Sequence, residues 1–263
     1  MANVSTTNSI NPAADLVAIR RIGVADLRDA LSRGVDDFLA IPTQLVFLCF
    51  LYPIVGLVAA RVAVDRDLLP LLFPLVAGLA LLGPVLAVGI YELSRRREAG
   101  LPVSWVHAFD VLRSPSLFAI GIVGIILFGI FIVWLGVAKI IFLSTIGADA
   151  PASIGALAQQ ILDTPAGWHL MIFGNLAGFL FAVLVLVLTV VSVPLLLDRG
   201  GSPFAALQTS VRAVRANPAM MALWGLIVAA ILLLGCLPLF IGLAVAMPVL
   251  GHATWHLYRK IVV

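Results

Sequence analysis

The chain has 263 residues, of which 62% are hydrophobic and only 11% charged, and its mean hydropathy is +1.16. A soluble domain carries about a quarter charged residues, so this composition excludes a water-soluble globular fold. The formal charge of +3 is too small a surplus to point to nucleic acid, and no nucleic-acid partner is expected.

Residues 1–23 read as a polar, flexible N-terminal segment ahead of a single membrane domain over 24–263. Residues 1–40 lack the basic start, short apolar core and small-residue cleavage site of a removable signal. Apolar runs long enough to cross a hydrocarbon core follow at 42–64, 68–93, 116–143, 169–197, 219–236 and 239–258. The last two would overshoot a bilayer as one helix, and a hairpin at Gly235-Cys236-Leu237-Pro238 divides them. Between the third and fourth runs, the connection 144–168 has no Lys or Arg and includes a short helix over 152–163, ended by Thr164-Pro165. It reads as an interfacial connector. Cys49 and Cys236 lie inside apolar runs and read as small hydrophobes, not as a disulfide.

Orientation follows from basic residues, which resist translocation. Thirteen of the sixteen Lys and Arg fall on the face shared by both termini: Arg20, Arg21, Arg28, Arg33, Arg95, Arg96, Arg97, Arg113, Arg199, Arg212, Arg215, Arg259 and Lys260. Only Arg61, Arg66 and Lys139 fall on the other. A multi-pass inner-membrane protein with both termini in the cytoplasm is expected.

The six runs read as three copies of a two-helix unit, at about 24–97, 98–199 and 200–263. Odd-numbered spans open with Pro at Ile41-Pro42, Ser114-Pro115 and Asn217-Pro218, where its missing N–H has no helical partner to lose. Even-numbered spans carry Pro84, Pro194 and Pro248, each followed by an aliphatic pair, and each should kink its helix. An amphipathic segment precedes each opening proline, with apolar pairs Val35 and Phe38, Ala108 and Val111, and Val211 and Val214. The fold class is therefore all-α: a polytopic bundle of six transmembrane helices in three units, each led by a cytoplasmic interfacial helix. Gly174 and Gly178, with Gly121, Gly124 and Gly129, mark packing faces within the bundle or in an oligomer. Gln44, Asn175 and Thr189 read as interhelical hydrogen-bonding groups.

Four stretches carry a family resemblance. They are Val24-Ala25-Asp26-Leu27-Arg28-Asp29-Ala30-Leu31, the segment from Gly83-Pro84 to Tyr91-Glu92-Leu93-Ser94-Arg95-Arg96-Arg97, Ser192-Val193-Pro194-Leu195-Leu196-Leu197-Asp198-Arg199, and Gly251-His252-Ala253-Thr254-Trp255-His256-Leu257-Tyr258-Arg259. With these the sequence resembles an uncharacterised family of predicted integral membrane proteins, a domain-of-unknown-function family common in proteobacteria. The resemblance implies a multi-pass inner-membrane protein and no activity, substrate or cofactor.

The candidate site lies at the cytoplasmic boundary. His252 and His256 are four residues apart, so they share one helix face and could offer two imidazoles to a metal or haem, with His107 as a third ligand. The alternative is an interfacial anchor completed by Trp255, Tyr258, Arg259 and Lys260, which is the expectation because two histidines do not complete a coordination shell. A second polar cluster comprises Glu92, Asp110, Arg95, Arg96 and Arg97, which pair with one another or attract anionic headgroups. No catalytic fingerprint occurs, and no cofactor is predicted beyond the metal or haem alternative. The expected function is a non-enzymatic scaffold or accessory subunit in contact with lipid and with a membrane protein or a second copy. The alternatives are a transporter or lipid-handling protein, and a metal- or haem-binding protein.

Overall fold

The computed structural model describes residues 17–41, 70–148, 153–238 and 240–263. Among these residues the regular structure is helical, with short connections between helices and an isolated antiparallel bridge between Ile19 and Val262. In chain order they form α1 (Val24–Ala40), α2 (Leu72–Glu98), a 3-10 helix (Trp105–Arg113), α3 (Leu117–Thr145), α4 (Ile154–Asp163), α5 (Pro165–Arg199), α6 (Pro203–Ala216), α7 (Pro218–Cys236) and α8 (Leu243–Ile261). Four of them, α2, α3, α5 and α7, are long and apolar enough to cross a membrane. The chain is an integral membrane protein. The first expected span, 42–64, lies outside the described residues, as do Gln44 and Cys49. The sixth, 239–258, falls on α8, which is not among the four; its second half carries His252, His256, Arg259 and Lys260 and is largely enclosed by protein.

Local chemistry sets the ends of these helices. The Asp26 carboxylate accepts the Gly23 N–H at 2.9 Å, closing the first turn of α1. Ile41, extended at φ −127°, ends it, as a residue before Pro42 must. Ser153 caps α4 through Ala156 N–H, and Thr164 caps α5 through Gly167 N–H at 3.0 Å with Pro165 in the first turn. The buried residues of α3, Ile120, Val123, Leu127, Phe131, Trp134, Ala138 and Phe142, recur at three- and four-residue spacing, one stripe facing the bundle.

Two long helices break where proline removes a donor. In α2, Pro84 cannot serve the carbonyl four residues back, and Gly83 N–H turns to that carbonyl, Ala80 C=O, producing the 3-10 turn Ala80–Leu82. In α5 the break follows Thr189, ahead of Pro194. The Ser210 hydroxyl of α6 enters it, accepting from Val191 N–H at 3.2 Å and donating to Val187 C=O at 2.8 Å. Thr189 and Ser192 turn their hydroxyls to Val185 and Leu188 C=O of the same helix. Thr189 and Asn175, expected to bond between helices, thus each bond a carbonyl four residues back in their own helix, because that acceptor is always within reach.

Three segments gathered at the charged end pack in a consistent way: α1 lies on α8, the 3-10 helix on the second half of α2, and α6 on α5. Small residues permit close approach. A Cβ on Gly34 would meet the Ala253 backbone at 2.7 Å, and one on Gly89 would meet Ala108 C=O at 2.9 Å. The ends of α2, α5 and α8 also pack against one another. The buried stripe of α1 is Leu27, Ala30, Gly34 and Asp37; Val35, of the apolar pair read from the sequence, is exposed. Contact with α8 requires small residues on the facing side, and Val35 points away. Asn217, between α6 and α7, ties the N-terminal segment down by accepting Ile22 N–H at 2.8 Å and donating to Arg20 C=O at 3.1 Å.

Replacing Ser210 with Ala leaves the Val191 N–H and Val187 C=O without their side-chain partner in a buried position. The expected cost is about 1–3 kcal/mol, read as a lowered thermal midpoint of the detergent-solubilised protein, whereas Ser144→Ala on the exposed face of α3 leaves the midpoint unchanged.

Candidate functional site

Asp37 is the centre of a polar cluster that joins three helices, α1, α2 and α8, deep in the packing. It sits one turn beyond Gly34 on the buried stripe of α1 and is 4% exposed. Facing it are Ser94 and Arg97, three residues apart on α2, and His252 and His256, four apart on α8. Asp37 Oδ2 accepts from Ser94 Oγ at 2.6 Å and contacts His256 Nε2 at 2.8 Å, while Oδ1 accepts from Arg97 Nη1 at 2.5 Å. Ser94 Oγ also lies 2.7 Å from His252 Nδ1.

The proton positions follow from counting donors. Burial alone would raise the Asp37 pKa, but hydrogen bonds from His256 and Ser94 outweigh it and hold the carboxyl below its ordinary value. An ionised carboxylate only accepts, so the single Ser94 hydroxyl proton points at Asp37. Ser94 then accepts from His252 Nδ1–H, which leaves His252 Nε2 as the bare nitrogen. That nitrogen is buried and has no partner among the described residues.

A second tier of ion pairs surrounds this cluster. Glu92 takes Arg95 through both oxygens, at 2.7 and 2.8 Å, and Arg96 reaches Asp110 at 3.1 Å. Glu98 accepts from Trp255 Nε1 and Arg259 Nε, both at 3.0 Å. Asp198 accepts from the Tyr258 hydroxyl at 2.7 Å and from Arg259 at 3.3 Å. Lys260 reaches Asp29 at 2.6 Å. The main chain adds to this anchorage, since Arg20 N–H donates to Ile261 C=O at 2.8 Å and Val263 N–H to Ala18 C=O at 3.1 Å.

The structure thus places His252 and His256 together, but on Asp37 and Ser94. His107 Nδ1 accepts Ser104 N–H at 2.9 Å and serves as the cap of the 3-10 helix. His256 Nε2 is committed to Asp37. Among the described residues no three His, Cys, Asp or Glu side chains are set out as a metal shell, and His252 Nε2 is the buried imidazole nitrogen of the pair without a partner. Of the arginines in the second expected cluster, only Arg97 enters the Asp37 site; Arg95 and Arg96 pair with Glu92 and Asp110. Sequence reasoning missed Asp37. Its signal was positional, an acid continuing the Leu27, Ala30, Gly34 spacing of α1.

Because the folded state favours ionised Asp37, its contribution is complete above the unfolded value near 3.8 and is lost as pH falls through the lower folded value. Asp26 and Asp29, held down chiefly by Gly23 N–H and Lys260 respectively, act in the same direction. The thermal midpoint of the native protein should therefore fall steeply on acidification below that range. Asp37→Asn should be less stable at neutral pH by on the order of 3 kcal/mol and show a shallower acid limb. An unchanged acid limb in the variant would remove Asp37 from this role.

Residues 72–198, a little under half of the chain, match the model of a family described as predicted integral membrane protein (DUF2189). No curated protein and no solved structure matches the chain. The matched stretch holds Ser94, Arg97 and the ion pairs of Glu92 and Asp110, and stops short of Asp37, His252 and His256. The fold and the match agree on one identification: this is an integral membrane protein whose central portion is similar to an uncharacterised membrane-protein family.

Proposed function

We propose that the protein is a non-enzymatic scaffold or accessory subunit of a complex in a bacterial inner membrane. The observation that carries this reading is an outward-facing glycine surface on α3. Gly121, Gly129 and Gly136 have no described residue within 4 Å of an added Cβ. At 100° per residue they fall within a sector of about 80° on the helix, interleaved with the exposed side chains of Ile125 and Ile132. In lipid, helices associate through close backbone approach at small residues, and among the described residues none covers this surface. Gly124 and Gly178, by contrast, are used internally, against Val85 and Trp134.

In this proposal the charged end, with both termini, faces the cytoplasm, in keeping with thirteen of sixteen basic residues on that side. The six-span arrangement in three units is supported by the packing of α1, the 3-10 helix and α6, each on the second helix of a different unit. A partner helix seated on α3 would leave the Asp37 cluster intact, since that cluster joins α1, α2 and α8.

A second reading, metal or haem binding, draws on His252. Its Nδ1 is anchored by Ser94 and its Nε2 is bare, the orientation that an outer-shell partner imposes on a ligating histidine; the remaining ligands would come from outside the described residues. Elemental analysis and an optical spectrum of the purified protein test it, and colourless, metal-free protein ends it.

For the scaffold reading, purification in mild detergent is expected to retain a stoichiometric membrane partner or a second copy. Gly129→Ile with Gly136→Ile should release it while shifting stability by no more than about 0.5 kcal/mol, as surface substitutions do. A clean monomer from several detergents, or retention unaffected by the double substitution, overturns it.

A further inference from the structure

At the charged end a cavity of about 500 Å³ lies between the end of α2, the end of the 3-10 helix, the start of α3 and the end of α5. Four arginines line it: Arg95, Arg96, Arg113 and Arg199. We propose that this cavity is a binding site for a phosphate group, held by Arg113 and Arg199, carried either by an anionic lipid headgroup or by a free phosphate compound.

Most of the charges lining the cavity are already closely paired, and two guanidiniums are not. The carboxylates lining the cavity are Glu92, Asp110 and Asp198. Glu92 is taken by Arg95 on both oxygens, Asp110 by Arg96, and Asp198 by the Tyr258 hydroxyl and by Arg259. Arg259 is not a lining residue, so one lining acid is neutralised from outside and the cavity keeps an excess of positive charge. The two remaining arginines are loosely held. Arg113 has no hydrogen-bond or ion-pair partner among the described residues, and Arg199 is 3.9 Å from the nearest Asp198 oxygen and 3.4 Å from Val263 C=O. A guanidinium without a carboxylate presents a planar fork of donors that fits two phosphate oxygens at once.

The backbone adds to the site. The 29-residue helix α3 begins immediately after Ser116, on the cavity wall, so the positive end of its dipole points where the anion would sit. Opposite Ser116, Gly200 has φ +70°, and a Cβ there would come within 3.4 Å of Ser116 Oγ. Glycine both permits that backbone conformation and keeps the wall open. Apolar side chains flank the lining residues in sequence: Leu112 and Phe118 are 65% and 81% exposed, and Trp105 stacks edge-on against Phe109 on the same 3-10 helix at 6.5 Å between ring centres. Acyl chains leaving a bound headgroup would meet these side chains.

The test uses the full chain in detergent, by native mass spectrometry. Phosphatidylglycerol, phosphatidylcholine and inorganic phosphate are added separately to the native protein, to Arg113→Gln with Arg199→Gln, and to Arg28→Gln with Arg215→Gln, which removes the same charge from two exposed arginines elsewhere. One phosphatidylglycerol per chain should be retained by the native protein and by the Arg28/Arg215 control, with about tenfold less on the Arg113/Arg199 variant. Retention of inorganic phosphate with the same dependence, and no preference between the two lipids, assigns the site to a free phosphate compound. Because both arginines are exposed, folding is expected to survive. Should the double variant lose its thermal transition, Arg113→Lys with Arg199→Lys, which keeps charge and removes the fork, should lower retention on a folded protein. Equal loss in the Arg28/Arg215 control, or retention unaltered in every Arg113/Arg199 variant, overturns the proposal.

Discussion

A carboxylate removed from water must be matched by donors, and Asp37 finds all of its donors on two other helices. Ionised and buried, it would cost several kcal/mol unpaired. Arg97, Ser94 and His256 all donate to it. These groups are in reach only when α1 lies directly on α8, and that approach depends on Gly34 meeting Ala253 with no side chain between. The close contact and the polar cluster therefore require each other. Gly34 sets the distance, and Asp37, one turn later, sets the rotation and register of α1 against α2 and α8.

Polar contacts of this kind carry particular weight in a membrane protein. Lipid is as apolar as the side chains of α3 or α7, so burial of Leu or Ile discriminates weakly between one helix neighbour and another. Discrimination comes from groups that have few acceptable partners. The Ser210 hydroxyl fits α5 only where proline has opened the helix. The Asp198 carboxylate of α5 selects Tyr258 and Arg259 of α8, and Glu98 of α2 selects Trp255 and Arg259 of the same helix. Helix α8 is held by acids from α1, α2 and α5 at once, consistent with its being largely buried.

What the fold leaves unpaired is as informative as what it pairs. Most charged groups at the charged end are consumed by internal contacts, which is the expected outcome where desolvation makes a lone charge expensive. Among the described residues, the groups left over include the guanidiniums of Arg113 and Arg199 beside a cavity, the bare Nε2 of His252, and the uncovered glycines of α3. Each is a group whose cost or vacancy a ligand or partner would relieve, and they lie at different places on the bundle.

The membrane class and the limits of the spans were legible in the residues themselves. The expected runs 68–93, 116–143, 169–197 and 219–236 overlap α2, α3, α5 and α7 almost end to end, because apolar length, opening prolines and flanking arginines are local signals. The pairing of His252 with His256 on one face was legible for the same reason, being a consequence of helical period. The site they serve was not. Asp37 is 57 residues from Ser94 and 219 from His256, and no local pattern encodes such partners. Hydrophobic periodicity, which weights apolar size, points to the Val35 and Phe38 stripe of α1 and not to the residues that meet α8. The tertiary structure decided for Gly34 and Asp37, since helices that meet backbone to backbone select for the absence of a side chain and for the charge that closes the contact.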